Sequence, residues 1–165
     1  MLRDKNLIPL SHQHQHALAL CVRIERAIQA GEIDTRAFQS EMVQIFQQEI
    51  LSHFEAEEEL VFPTADRFPE LKVLVSELLV EHAVLREMFE LAGQAELDSG
   101  LLNKFAGLLS SHVRKEERQL FEQMQGLMSG PEMSDLGIAL QEKLARAQRA
   151  CLLPNEATKL RPKIE

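Results

Sequence analysis

Apolar residues recur three and four positions apart along most of this chain, a pattern typical of amphipathic α-helices. Prolines, glycines and capping residues divide the pattern into segments. The first helix is predicted to begin at the N-cap Ser11 and to end at Gly31. The next three are predicted from Asp34 or Thr35 to Phe62, from Pro69 to about Ala95, and from Asp98 or Ser99 to near Met128.

Four long helices with short connections predict an all-α fold, an up-down-up-down four-helix bundle. A shorter fifth helix is predicted from Met133 to about Ala150, followed by Pro154 and a polar tail. We therefore expect residues 1–130 to form the bundle and residues 131–165 to form a C-terminal helix and tail. The fifth helix is expected to pack on the outside of the bundle or on a partner chain.

Charge and composition narrow the possible functions. The formal net charge is −8, and an acidic body repels phosphate backbones, so we expect no nucleic-acid partner. The N-terminus has no apolar signal core, and no apolar run approaches the ~18 residues of a membrane span. Cys21 and Cys151 form neither a disulfide framework nor a zinc-finger spacing. These features lead us to expect a cytoplasmic protein without membrane contact, and they leave its oligomeric state open.

One segment of the sequence is repeated. HFEAEEELVF at residues 53–62 and HVRKEERQLF at residues 112–121 share His, Glu, Glu and Phe at identical offsets. A further histidine precedes each segment, His14 before the first and His82 before the second. This duplication indicates a bundle built from two similar helical hairpins.

Six polar residues lie on the apolar faces of the predicted helices, where spacings of three and four place them toward the core. They are His14 in the first helix, His53 and Glu57 in the second, His82 in the third, and His112 and Glu116 in the fourth. His12 and His16 are rotated roughly 160° from His14 and are expected to face solvent. If the register at the start of the helix differed from the prediction, His12 or His16 would face inward instead of His14.

Histidines on neighbouring helices lie at similar numbers of residues from the predicted turn that joins the helices. At ~1.5 Å rise per residue, their heights along the bundle differ by about 5 Å or less, so the four inward histidines fall in one layer. Glu57 and Glu116 follow one turn along. Buried carboxylates and imidazoles are costly unless they are paired or bound to metal. Two metal ions would satisfy this set, with the carboxylates bridging and each histidine giving one nitrogen. Such ligands suit iron, manganese or zinc.

The motifs H-F-E-A-E-E at 53–58, E-H-A-V-L-R at 81–86 and H-V-R-K-E-E at 112–117, together with His14, resemble the hemerythrin-like, HHE cation-binding family. The resemblance spans about residues 7–128. It implies a non-haem di-iron centre held by the six residues named above, in a family whose members handle dioxygen, nitric oxide, peroxide or iron itself. Oxygen-carrying hemerythrins have a further inward histidine where this chain has Arg86. The chain therefore resembles the bacterial branch with four histidine and two glutamate ligands.

Three classes of function follow from this interpretation. The leading hypothesis is a di-iron binding protein for sensing or handling oxygen, nitric oxide or iron. The second is a di-iron enzyme that acts on peroxide or in iron–sulfur cluster repair, because an open coordination position serves either role. The third is a helical interaction module with bound zinc or no metal. Whether the protein is an enzyme stays open at this level.

For the residues near the six candidates we expect simpler roles. Cys21 is predicted to be a core residue, and Glu49 is either an acid that orients a ligand or an ordinary surface residue. Arg86 is predicted either to pair with Glu57 or Glu116 or to extend to solvent. The acids expected to form a solvated face are Glu58, Glu59 and Glu117.

Overall fold

The computed structural model describes residues 2–151, with side chains described as far as residue 147. Within that range the chain forms five helical rods and no β-strand, which confirms the all-α prediction. The rods are α1 at Ile8–Ala30, α2 at 35–65, α3 at Lys72–Gly93, α4 at 99–127 and α5 at Gly130–Cys151. The polar tail predicted after Pro154 lies outside the described residues.

Capping residues explain three of the helix ends. Asp34 and Asp98 occupy the N-caps of α2 and α4, and their carboxylates accept hydrogen bonds from the backbone N–H groups of Ala37 and Leu101. Gly31 ends α1 with φ at 71°, a left-handed conformation that glycine adopts without a steric penalty. These three signals were readable from the sequence.

Three predicted boundaries were wrong, and one of them is the start of α5, which begins at Gly130 rather than at Met133. α1 begins at Ile8 with Pro9 in its first turn, so Ser11 is not its N-cap; the Ser11 hydroxyl instead donates a hydrogen bond to Glu117 at 2.7 Å. α2 continues past Pro63 to Ala65. A proline near the start of a turn loses only one N–H donor, and the wider π-helical turn before it tolerates that loss.

Three π-helical turns interrupt the long rods. In α2 they are Phe46–Ile50 and Glu57–Val61, and in α4 there is one at Glu116–Leu120. The last two begin at the repeated glutamates of the duplicated motif. π-Helical turns are rare and occur frequently at functional sites.

A polar layer divides the core into two apolar clusters. In α1, His14 lies between Leu10 of one cluster and Ala17 of the other. In α3, His82 lies in the same way between Leu78 and Leu85. The polar layer is therefore enclosed between two apolar clusters.

α5 packs on the bundle of its own chain. It contributes Met133, Leu136, Leu140 and Leu144 to the cluster that contains Leu7 and Leu10. The Lys143 ammonium lies 2.8 Å from the Glu59 carboxylate of α2. In the described part of the chain, no helix is both long enough and apolar enough to cross a membrane.

Candidate metal centre

All six predicted residues meet in the layer between the two clusters. His14, His53, Glu57, His82, His112 and Glu116 are each at most 3% exposed. Each histidine directs Nε2 toward the middle of the layer, where the four carboxylate oxygens of the two glutamates lie.

Glu57 divides its two oxygens between different histidines. Its Oε1 lies 3.2 Å from Nε2 of His53 and 3.8 Å from Nε2 of His14, whereas its Oε2 lies 3.4 Å from Nε2 of His82. The carboxylate therefore stands between two histidine pairs, as a bridging ligand would.

Glu116 does the same from the opposite hairpin. Its Oε2 lies 3.1 Å from Nε2 of His14, and its Oε1 lies 3.2 Å from Nε2 of His112 and 3.8 Å from Nε2 of His82. Together the two carboxylates define two overlapping sets of ligand atoms, each within 4.8 Å. These sets are His14, His53, Glu57 and Glu116, and Glu57, His82, His112 and Glu116.

The outward nitrogen of each histidine meets an oxygen acceptor. Nδ1 of His14 lies 2.7 Å from Glu117, and Nδ1 of His82 lies 2.8 Å from Glu58. Because a carboxylate can only accept a hydrogen bond, each of these Nδ1 atoms carries the proton. Nε2 is then the atom left to face the layer.

The other two histidines follow the same rule with different partners. Nδ1 of His53 lies 2.9 Å from Oε1 of Gln13, and Nδ1 of His112 lies 2.9 Å from Oε2 of Glu81. A hydrogen bond at the outer nitrogen that fixes ring orientation and tautomer is the usual support of metal-binding histidines.

Cations support three of these acceptors. Arg3 lies 2.7 Å from Glu117, and Arg86 contacts both oxygens of Glu58. Lys115 pairs with Glu81. Burial opposes a lower pKa at Glu58, but the hydrogen bonds of Arg86 and His82 outweigh it and lower the pKa of that carboxylate. At Glu81 the hydrogen bond from His112 is the largest cause of the lowered pKa, and Lys115 adds to it against the effect of burial.

The π-helical turns explain why two consecutive glutamates both point inward. A π-helix has a wider turn than an α-helix, so successive side chains diverge less. Glu57 reaches the layer while Glu58 reaches a histidine of the next helix, and Glu116 and Glu117 repeat the arrangement.

The predicted solvated face was therefore wrong for two of its three acids. Glu58 and Glu117 are half-buried and accept hydrogen bonds from His82 and His14. Their register in a regular α-helix would face outward, and the π-turn brings them in. Glu59 is exposed as predicted, and pairs with Lys143.

The structure also shows the roles of Arg86, Glu49 and Cys21, for which the sequence left alternatives or predicted a core position. Arg86 contacts Glu58 rather than Glu57 or Glu116, because Glu58 stands between it and the layer. Glu49 orients no candidate ligand; its carboxylate lies 2.9 Å from the exposed His16. Cys21 is buried as predicted, and burial is the main cause that raises the pKa of its thiol to about 11.

Two residues of the site were missed in the sequence. Gln13 and Glu81 each precede an inward histidine by one position, and each supports a histidine on a neighbouring helix. The sequence did contain a sign of their role, because each directly precedes a histidine that was predicted to face inward, His14 or His82. His12 and His16 are exposed, in agreement with the helical-face argument.

The carboxylates in and around the layer favour a positive charge on His14 and His112. Burial is the largest influence on the pKa of His14 and lowers it, but Glu116 and Glu117 outweigh burial and raise it to about 9. Burial likewise opposes the shift at His112, where Glu116 and Glu81 raise the pKa to about 10. The same histidines hold the pKa of Glu116 well below its usual value against the effect of burial.

The layer leaves polar atoms without hydrogen bonds. Among the described residues these include Nε2 of His82 and of His112 and all four oxygens of Glu57 and Glu116. Buried groups of this kind are normally satisfied, so the set fits bound cations. Imidazole nitrogens with carboxylate oxygens match the preferences of iron, manganese or zinc.

Comparison with known proteins supports this interpretation. Neither the curated proteins nor the solved structures gave a significant match. A family model described as the hemerythrin HHE cation binding domain matches residues 9–124, a range that contains all six residues of the layer. The match extends over more than half of the sequence, and the chain therefore belongs to the hemerythrin HHE cation-binding family.

Proposed function

We propose that this protein holds two iron ions and uses them to sense or handle dioxygen, nitric oxide or iron. One observation carries the proposal. Four Nε2 atoms and four carboxylate oxygens converge in a dry layer, and each histidine is held by an oxygen at its other nitrogen.

The division of the carboxylate oxygens supports two ions rather than one. Glu57 places Oε1 with His14 and His53 and places Oε2 with His82. Glu116 places Oε2 with His14 and Oε1 with His82 and His112. A single ion would use only one half of this arrangement and would leave the other half buried and unsatisfied.

Open coordination positions support the binding of a small ligand. If two octahedral ions were bound here, the four nitrogens and four oxygens would fill about eight of their roughly twelve positions. Arg86 occupies the position where oxygen-carrying hemerythrins have a further histidine, and it pairs with Glu58 outside the layer. Iron bound here would supply reversible binding or redox chemistry for a diatomic molecule or peroxide at the remaining positions.

The chain's own side chains keep bulk water away from the layer. Phe54 stacks on His82 with ring centroids 3.9 Å apart, and Phe121 stacks on His14 at 5.7 Å. Phe62 lies beside His82 at 5.2 Å. Aromatic walls lower the local dielectric constant and orient the rings, which suits a site for a small uncharged ligand.

Metal analysis with an optical spectrum tests the proposal. Aerobically purified protein is expected to contain two iron ions per chain and to absorb in the near ultraviolet and visible range. Adding nitric oxide to the reduced protein should change that spectrum. Rapid turnover of peroxide would favour the enzyme class instead, and a colourless protein that takes up zinc but no iron would contradict the proposal.

His53→Ala and His12→Ala form a matched pair for the same assay. His53 lies in the layer, whereas His12 is exposed on α1. The first substitution is expected to lower iron content, and the second to leave it unchanged. Equal iron content in both variants would show that iron binds outside the layer.

A further inference from the structure

The two halves of the centre are related by an approximate twofold repeat. His14, His53, Glu57 and Glu58 of the first hairpin correspond in order to His82, His112, Glu116 and Glu117 of the second. The contacts repeat as well. Glu117 of the second half supports His14 of the first, and Glu58 of the first half supports His82 of the second.

The repeat extends to the residues that precede the helix-one and helix-three histidines. Gln13 supports His53, and Glu81 supports His112, both at 2.9 Å from Nδ1. These two positions correspond, but one side chain is a neutral amide and the other is a carboxylate. Three of the four histidines therefore have a carboxylate at Nδ1, and His53 has an amide oxygen there instead.

Each half can be defined by its histidine pair. Site 1 is the ion position beside His14 and His53, and site 2 is the ion position beside His82 and His112. Both histidines of site 2 donate to carboxylates, whereas in site 1 only His14 does. A carboxylate at the outer nitrogen makes the imidazole a stronger electron donor to a metal than an amide does.

We propose that the two ion positions are inequivalent, that site 2 binds a divalent ion more tightly and fills first, and that Gln13 makes site 1 the weaker, exchangeable position. This proposal rests on the proposed two-metal centre. Lys115 contacts the Glu81 oxygen that faces away from His112, so it reduces the carboxylate's effect without replacing the hydrogen bond. Partners at the outer nitrogen typically change metal affinity by about 10–100-fold, and a difference of about tenfold is expected here.

The difference gives the two positions separate roles. Site 2 would hold its ion as a permanent part of the bundle. Site 1 would exchange its ion, or release a bound ligand, more readily. A protein that responds to iron supply through such a centre would pass between one-ion and two-ion forms.

Anaerobic titration of chelator-treated protein with Co²⁺, followed by calorimetry and by the visible absorption of the ion, tests the proposal. The unmodified protein is expected to bind one ion and then a second with about tenfold lower affinity. Two steps alone do not decide the matter, because two neighbouring cations repel one another even in equal sites. The variants separate these explanations.

Gln13→Glu supplies the missing carboxylate to His53. If the sites are inequivalent, this variant strengthens the second step about tenfold and leaves the first nearly unchanged. If equal sites merely repel, it strengthens the first step. Gln15→Glu is the matched control, because it adds the same charge at an exposed position of α1.

Glu81→Gln removes the carboxylate from His112. The proposal expects the first step to weaken by about tenfold, whereas equal repelling sites would show weakening of the second step only. Identical steps in the unmodified protein, or a Gln13→Glu effect no larger than that of Gln15→Glu, would overturn the proposal while leaving the two-metal centre intact. Failure to bind any Co²⁺ would instead overturn the proposed function.

Discussion

The Nε2 atoms of His14 and His53 lie 3.0 Å apart, although both rings already have an oxygen acceptor at Nδ1. Both lone pairs would face one another unless a cation stands between them. Without metal, that cation is a proton on His14, whose pKa is raised to about 9. A metal ion and protons therefore compete for the same layer.

This competition predicts that rising pH destabilises the metal-free protein more than the loaded protein. His14 and His112 have folded-state pKa values raised to about 9 and about 10, above the unfolded value of 6.5. A group with a raised folded pKa stabilises the fold fully below its unfolded pKa, and this contribution is lost as pH rises through the folded value. The metal-free protein should therefore lose thermal stability between pH 6.5 and pH 10.

Thermal unfolding at pH 6.5, 8 and 9.5 measures this effect. The loaded protein keeps both histidines deprotonated, so its unfolding midpoint should fall less over the same range. The gap between loaded and metal-free midpoints is expected to widen as pH rises. A metal-free midpoint that increases from pH 6.5 to 9.5 would show that protons do not hold the layer together.

The ligand from α1 can be tested by three alanine substitutions. His14 points its Nε2 into the layer, whereas His12 and His16 are exposed. We expect His14→Ala to lose at least one of two bound ions and the other two variants to retain both. Metal content after desalting is the measurement. Loss from His12→Ala equal to that from His14→Ala would place the α1 ligand in a different register.

Helical periodicity predicted which six residues meet in the layer, because a buried face is fixed by spacings of three and four within one helix. Their shared height followed from helix lengths alone. The roles of Glu58 and Glu117 could not be obtained this way, because each depends on a π-helical turn that changes the face of one residue. A regular helix would have placed both outside.

The acceptors of His53 and His112 were missed for a different reason. Gln13 and Glu81 are partly buried beside the inward faces of α1 and α3, where a side chain reaches a neighbouring helix only if the two helices have a particular rotation. That rotation is a property of packing between helices and is not encoded in the pattern of either one. The start of α1 was also predicted wrongly, because serine is a residue type common at N-caps, whereas the Ser11 hydroxyl donates its hydrogen bond to Glu117.

Gly137 of α5 is expected to be intolerant of a side chain. A Cβ at this position would overlap Oδ1 of Asn6 and would lie 2.6 Å from its Cβ. Asn6 cannot move freely, because its backbone N–H and its amide both donate to Asp4. Gly137→Ala should destabilise the fold by roughly 1–3 kcal/mol, the usual cost of overpacking.

Gly107 of α4 provides the matched control. No atom lies within 4 Å of a Cβ built there, so alanine fits without contact. Gly107→Ala should be neutral or stabilise the fold by up to about 1 kcal/mol, because alanine has the higher helix propensity. Denaturant unfolding of both variants measures the difference. Equal stability of the two would show that α5 does not approach the turn at Asn6 as closely as described.

Glu58 supports the centre without belonging to the layer, and its neighbour Glu59 allows a sharp test of that role. Glu58 accepts the hydrogen bond from Nδ1 of His82 and is paired with Arg86, whereas Glu59 is exposed and contacts Lys143. Glu58→Gln keeps the shape but removes the charge that holds the His82 tautomer. Metal affinity should fall about 10–100-fold, while Glu59→Gln should bind metal as the unmodified protein does.

Competition with a chelator of known affinity gives both values, and thermal unfolding of the metal-free variants shows whether the fold is intact. If Glu58→Gln lowers metal affinity without lowering metal-free stability to the same degree, the hydrogen bond acts on the metal through His82. If both variants bind metal equally well, the carboxylate at Nδ1 has no influence on the layer. The support attributed to Glu117 and Glu81 would then lose its basis as well, because all three contacts join a histidine Nδ1 to a carboxylate oxygen at 2.7–2.9 Å.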